Sequence, residues 1–373
     1  VSDTQRDKLK TWSWRWLTWA VGLLGIVGCA VLLRELGATA VKRQLLALGP
    51  WIPALLIFEG LRVACELWGT WAVLGPARSR LSWPRLLRGQ LLAQSLDVVM
   101  PAGRATAEAA KAAVFARDIG MPEAVAIGAV MQLATLFGSA LWALTGFCAS
   151  LRIALPHALA VGLLSYGAGV TALVLLVIAF ARTAAARRWC TRVRWAYAVL
   201  DRFAALINER PRVLLLAAAA QTVARGCQAA QVALLLTALS GARGLWHIVL
   251  GESVYLVGAA AGDLVPAQLG TTDGAFVLAA NTFGLHPHSA LTLTLAMHGL
   301  QVLTACAAGI LAFALWTVSE RGSSSPLART FRVWTHACES TTMRCDQRHL
   351  VQKCDHLLPA RWHLHGLQRG RRG

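Results

Sequence analysis

Charged and amide side chains stand at helical spacing inside stretches that are otherwise apolar. Glu59, Arg62 and Glu66 lie three and four residues apart within Trp51–Leu74, which puts them on one face of a helix. Gln221, Arg225 and Gln228 do the same within Val213–Leu239, and Thr294, His298 and Gln301 within Leu291–Val318. A charge at mid-bilayer costs ~2.5–3.5 kcal/mol even on the lenient insertion scale, so such groups face a cavity or a partner. Guanidinium grips phosphate in a bidentate way, which makes Arg62 and Arg225 candidates for holding a lipid headgroup. For Arg62 a second reading stays open, a buried pair with Glu59 or Glu66 that locks helices together. Arg225 has no acidic neighbour on its own helix, so Asp263, Asp273 or a bound phosphate is its expected partner. His298 has the chemistry of a proton relay, or of a hydrogen bond between helices.

Two turns carry a second set of groups. Pro101, Thr106, Glu108 and Pro122 recur as Pro266, Thr271, Asp273 and Pro287, each 165 residues further on. Gly103 and Gly270 allow the turns, and Thr or Asp can cap the free N–H groups of a following helix. A helix N-terminus at mid-membrane is partially positive and suits an anion. After the first turn Arg104, Glu108 and Lys111 share a face, which suggests a zwitterionic headgroup site with phosphate near Arg104 and Lys111 and an amine near Glu108. The alternative is ordinary capping with snorkelling of the long side chains.

The elements that must position these groups follow from composition. The 373 residues are 56% hydrophobic and only 14% charged, the signature of a polytopic helical membrane protein. Six segments are long and apolar enough to span: Trp16–Leu33, Trp51–Leu74, Ala124–Ala149, Ala158–Ala181, Val213–Leu239 and Leu291–Val318. The first serves as a span rather than as a cleaved signal. Leu86–Ile119 and Ile248–Phe283 are broken by their Pro/Gly turns and carry several charges, so both are expected to be re-entrant helical hairpins. Arginine crowds the loops after the second and fourth spans, Arg78 to Arg88 and Arg182 to Arg212, which places the N- and C-termini in the cytoplasm. Arg34, Lys42 and Arg43 in the first external loop are exceptions. With that topology the hairpins enter from opposite faces, and residues 16–149 and 158–318 form an inverted repeat of three spans plus a hairpin, the symmetry that alternating access uses. Repeated breaks of this kind point to a transport site.

The net charge of +18 comes mainly from loops and the tail, where topology and anionic lipid explain it, so no nucleic acid partner is expected. No GxxxxGK[ST] run is present, which argues against direct ATP drive. The nine cysteines form no CxxC pair, and the His/Cys-rich tail, 319–373, matches no usual zinc spacing. No metal and no cofactor are expected. The tail reads as a disordered, basic segment that touches anionic lipid.

Leu81-Ser82-Trp83-Pro84 through Met100-Pro101-Ala102-Gly103 to Glu108 and Lys111, with Pro266 through Gly270 to Asp273, resembles the transmembrane region of lysylphosphatidylglycerol synthases and their stand-alone flippase-like relatives, including hopanoid-associated members. The resemblance covers roughly residues 10 to 318. It departs in a first turn poorer in glycine and in Asp273, where glutamate is common. It implies a bacterial inner-membrane protein that moves aminoacylated or other lipids between leaflets and lacks synthase activity. A membrane enzyme using Glu108 and Asp273 as acid and base is the alternative, as is a non-transporting scaffold for lipid synthesis. Membrane lipids are the expected partners; a lipid-synthesis enzyme and a second copy of the chain are further partner readings.

Overall fold

The computed structural model describes residue 27 and residues 30–100, 103–183, 194–239, 244–263, 265 and 268–321. Most of Trp16–Leu33, Pro101, Pro266 and the tail beyond residue 321 lie outside them. Among the described residues the fold is all α-helical. The helices are α1 (Ala38–Ala47), α2 (Ile52–Leu74), α3 (Trp83–Val99), α4 (Gly103–Ile119), α5 (Met121–Ser150) and α6 (His157–Arg182), then α7 (Arg194–Glu209), α8 (Pro211–Ala238), α9 (Leu245–Ala261), α10 (Thr271–Leu278) and α11 (Pro287–Arg321). Proline stands in the first turn of α2, α3, α5 and α8, where no backbone N–H is needed and φ is already helical.

Helices α5, α6, α8 and α11 are long and apolar enough to cross a membrane. Helix α2 carries Glu59, Arg62 and Glu66 and qualifies only with α1, across a 43° bend. The chain is therefore a multi-pass membrane protein. Five of the six expected spans match these helices to within a few residues at each end, and Trp16–Leu33 lies mostly outside the described residues.

Two apolar cores sit at opposite ends of the spanning helices. One joins Leu55 of α2, Ala143 of α5, Leu163 of α6 and Leu235 of α8. The other joins Val73, Ala126, Val174 and Ala217 of the same four helices. Helices α3 and α4 contribute only to the second core, through Leu86, Phe115 and Ile119. Helices α9 and α10 contribute only to the first, through Leu250, Val254 and Phe276. The broken regions are thus two helical hairpins, α3–α4 and α9–α10, rooted at opposite ends of the bundle.

Their bases confirm the arrangement. The first is closed by an Arg85–Asp118 ion pair and lies beside Arg80, which bonds Glu123 at the start of α5 at 3.0 Å. The second lies against the loop after α5, where the Thr282 hydroxyl donates to the Ala154 carbonyl at 2.9 Å and Arg152 stacks over Trp246. Each hairpin's first helix packs on a long helix of the other half, α3 on α11 and α9 on α5. Small residues allow both approaches: Gly309 faces Ser95, and Gly146 faces Ser253.

One element corrects the sequence reading. The Arg-dense stretch after residue 182 was expected to be a loop, yet α7 forms there. It buries Phe203, Ala204 and Ile207 against α5 and exposes Trp195, Asp201 and Arg202. Its alternating apolar and charged residues make a surface helix with one buried stripe.

Candidate functional site

The tip of the first hairpin depends on Gly103. A Cβ on that residue would fall on the Asp97 carbonyl, so only glycine lets the chain fold back so tightly between α3 and α4. The turn brings Asp97 and Arg104 to the same place. At the second tip Gly270 takes φ 84°, and its N–H donates to Asp273 Oδ2 at 2.8 Å, capping α10. Asp263 and Gln268 lie at this tip.

Both tips open onto one cavity of about 420 Å³. Its charged wall comprises Arg62, Arg104 and Arg225 with Asp97 and Asp263. Tyr166 and Tyr255, two of the chain's three tyrosines, also line it.

The three arginines differ in how far they are committed. Arg62 is buried and forks onto Glu59 through Nε and Nη2, at 3.0 and 2.7 Å, while Nη1 reaches Glu66 at 2.7 Å. Gln231 of α8 and Gln90 of α3 complete the two carboxylates at 3.2 and 3.1 Å. This is the locking pair of the two readings offered for Arg62: the network joins α2, α3 and α8. Arg104 reaches Glu66 at 3.2 Å with its side chain 22% exposed. Arg225 donates to Gln228 of its own helix at 2.6 Å and lies 3.9 Å from Glu252. Its acidic neighbour is therefore Glu252 of α9, and neither Asp263 nor Asp273 is the ion-pair partner expected.

Three expected headgroup residues stand away from the cavity wall. Lys111 is buried, pairs with Glu108 at 2.8 Å and reaches Thr70 and Gln90 at 3.3 Å each. Arg104, Glu108 and Lys111 therefore do not act as one face toward a ligand: the last two pair with each other. Asp273 is fully buried, caps its helix and lies 3.3 Å from His298 Nε2. His298 is buried with it on α11, a helix-to-helix contact away from the cavity lining. Lys111 and Asp273 are buried because both belong to packed helix contacts, which helical spacing alone does not reveal.

Several groups on or beside the cavity were missed as site residues. Asp97 was visible as a carboxylate beside a Pro/Gly break. Tyr166 was visible as a lone phenol in the apolar run of α6. Tyr255 accepts a 2.6 Å bond from Gln301 of α11, a relation across helices that leaves no trace in local spacing.

Fold and site define a class: a polytopic helical membrane protein in which two broken helix pairs, rooted at opposite ends, meet at a charged internal cavity. The model of the lysylphosphatidylglycerol synthase TM region matches residues 17–309, and the chain belongs to that family. This makes it a membrane protein of lipid metabolism or transport. Neither a curated relative nor a solved structure matches the chain.

Proposed function

We propose that this protein carries a lipid headgroup through the cavity between the hairpin tips, moving the lipid from one leaflet to the other while its acyl chains stay in the bilayer. The observation that carries the proposal is the cavity's position, between two hairpins rooted at opposite ends of the bundle. A headgroup there is reached from either side by moving one hairpin or the other, which is the use of an inverted repeat. The matching glycine contacts, Gly309 on Ser95 and Gly146 on Ser253, support such a repeat.

The chemistry suits a phosphate with an amine nearby. Arg104 and Arg225 are the cavity arginines with exposure left to offer, and they hold phosphate in this scheme. Asp97 and Asp263, one at each tip, take a cationic group. The substrate class is therefore a phospholipid or aminoacyl-phospholipid, and the protein acts as a carrier rather than as an enzyme. It sits in a bacterial inner membrane, with the arginine-rich end of the bundle in the cytoplasm. A lipid-synthesis enzyme is its natural partner, since product must leave the leaflet where it is made.

The test is reconstitution into vesicles with fluorescent phosphatidylglycerol in both leaflets and quenching of the outer one. The protein should accelerate exchange, and Arg225→Gln or Arg104→Gln should slow it at least about tenfold, the loss expected for one charge-assisted contact to phosphate. No acceleration with this lipid, with lysyl-phosphatidylglycerol or with a native lipid extract would remove the proposal.

A further inference from the structure

Glu252 is a buried acid that the headgroup scheme leaves unused. It is fully buried in α9, and among the described residues neither carboxylate oxygen has a hydrogen-bond partner. Its nearest cation is Arg225, 3.9 Å away, and Arg225 also lines the cavity. Arg225 therefore faces two ways, toward a carboxylate behind the wall and toward whatever anion occupies the site. The other groups around Glu252 do not replace it. Arg62 acts on Glu252 electrostatically but is held by Glu59 and Glu66. Tyr255 on the same helix is bonded to Gln301, and Tyr166 of α6 lines the cavity. Helix α5 brings no charged side chain except Glu123 at its far end, and α10 brings Asp273, which is committed to Gly270 and His298.

We propose that Glu252 carries the coupling proton: a phosphate anion bound in the cavity draws the Arg225 guanidinium off Glu252, and the carboxylate, left without a counter-charge in an apolar setting, takes up a proton. This rests on the headgroup reading of the cavity and adds an energy source to it. The step balances as one carboxylate plus one proton giving one carboxylic acid, with the phosphate replacing the carboxylate as counter-ion to Arg225. A buried carboxylate that loses its partner neutralises rather than remain charged. Loading the site with anion then loads the protein with a proton, and a proton gradient favours loading on its acidic side.

The experiment uses the full chain in maltoside micelles with short-chain phosphatidylglycerol, and in a parallel arm dimethyl phosphate. Binding is followed calorimetrically, and proton uptake by a pH indicator in weak buffer. The wild type should take up about one proton per phosphatidylglycerol bound, and its affinity should rise about tenfold per unit fall in pH across the range of uptake. Uptake with dimethyl phosphate as well assigns the effect to the phosphodiester itself; uptake with the lipid alone assigns it to the seated headgroup, and either supports the coupling. Glu252→Gln should bind phosphatidylglycerol with an affinity that no longer changes with pH. Infrared difference spectra of the unaltered protein, which do not depend on a variant folding, should gain a protonated-carboxyl band on lipid addition. Binding without uptake, or uptake unchanged in Glu252→Gln, overturns the coupling and leaves the carrier reading standing. No binding of either probe overturns both.

Discussion

Arg62 and Arg225 are the same side chain at similar depths of two helices packed on each other, and their neighbours give them different roles. Arg62 is saturated by two acids on its own helix, spaced three and four residues away, and both acids are bonded again from other helices. Replacing Arg62 by Leu leaves buried Glu59 without its cation and Glu66 with Arg104 alone, and should cost about 3–5 kcal/mol, read as a large drop in the thermal unfolding midpoint in micelles. Arg225→Gln should cost no more than about 1–2 kcal/mol, because Glu252 can neutralise by taking a proton, while anion binding is lost. Equal losses of stability in the two variants would contradict this division. The Arg62 network was legible in the sequence because its core is local, three residues on one helical face. The Arg225–Glu252 relation was not, because it depends on how α8 lies against α9.

At the scale of elements, the hairpins were legible because their causes are local: Pro and Gly break the helices, and charges in the broken segments rule out a simple span. Their lengths were not. The return helix of the first hairpin has 17 residues and that of the second has 8, followed by the short helical turn Ala280–Phe283. So Glu108 and Asp273, in register by sequence, take different structural parts. Glu108 lies inside α4 and pairs with Lys111, whereas Asp273 sits in the first turn of α10 and caps it. Helix α7 escaped detection because its arginines read as a loop, although its apolar residues have helical spacing. What holds the hairpins in place is close helix approach at small residues. A leucine at Gly146 would collide with Ser253 and push α9 off α5, whereas Gly169 faces open space. Gly146→Leu should therefore lose about 1–3 kcal/mol and Gly169→Leu almost nothing, checked by unfolding midpoints of the two variants side by side. The comparison isolates packing, since both sites are helical and receive the same side chain.

At the scale of the molecule, the question is which way the bundle faces, and the charge at the two ends already described gives an expectation that can be tested. The end holding the base of the first hairpin gathers Arg78, Arg80, Arg85, Arg182 and Arg210. Arg182 bonds Asn208 at 3.0 Å, and Arg210 lies against Gly75 at the end of α2. The opposite end holds Arg152, with Lys42 and Arg43 on α1, whose Gln44 bonds Ser289 and Thr292 near the start of α11. By the positive-inside rule the excess of arginine at the first end is expected to face the cytoplasm, and the basic residues of α1 weaken that bias without reversing it. Exposed single cysteines report the two bases separately: Ser79→Cys beside the first hairpin and Asn281→Cys beside the second, in a background with the native cysteines replaced. In right-side-out vesicles a membrane-impermeant maleimide should label Asn281→Cys at once and Ser79→Cys only after the vesicles are broken. The reverse pattern would turn the molecule over yet keep the hairpins opposed, since the two sites would still answer from different sides. Labelling of both sites from one side would place both hairpins in the same leaflet, and a cavity approached from only one face cannot hand a headgroup across.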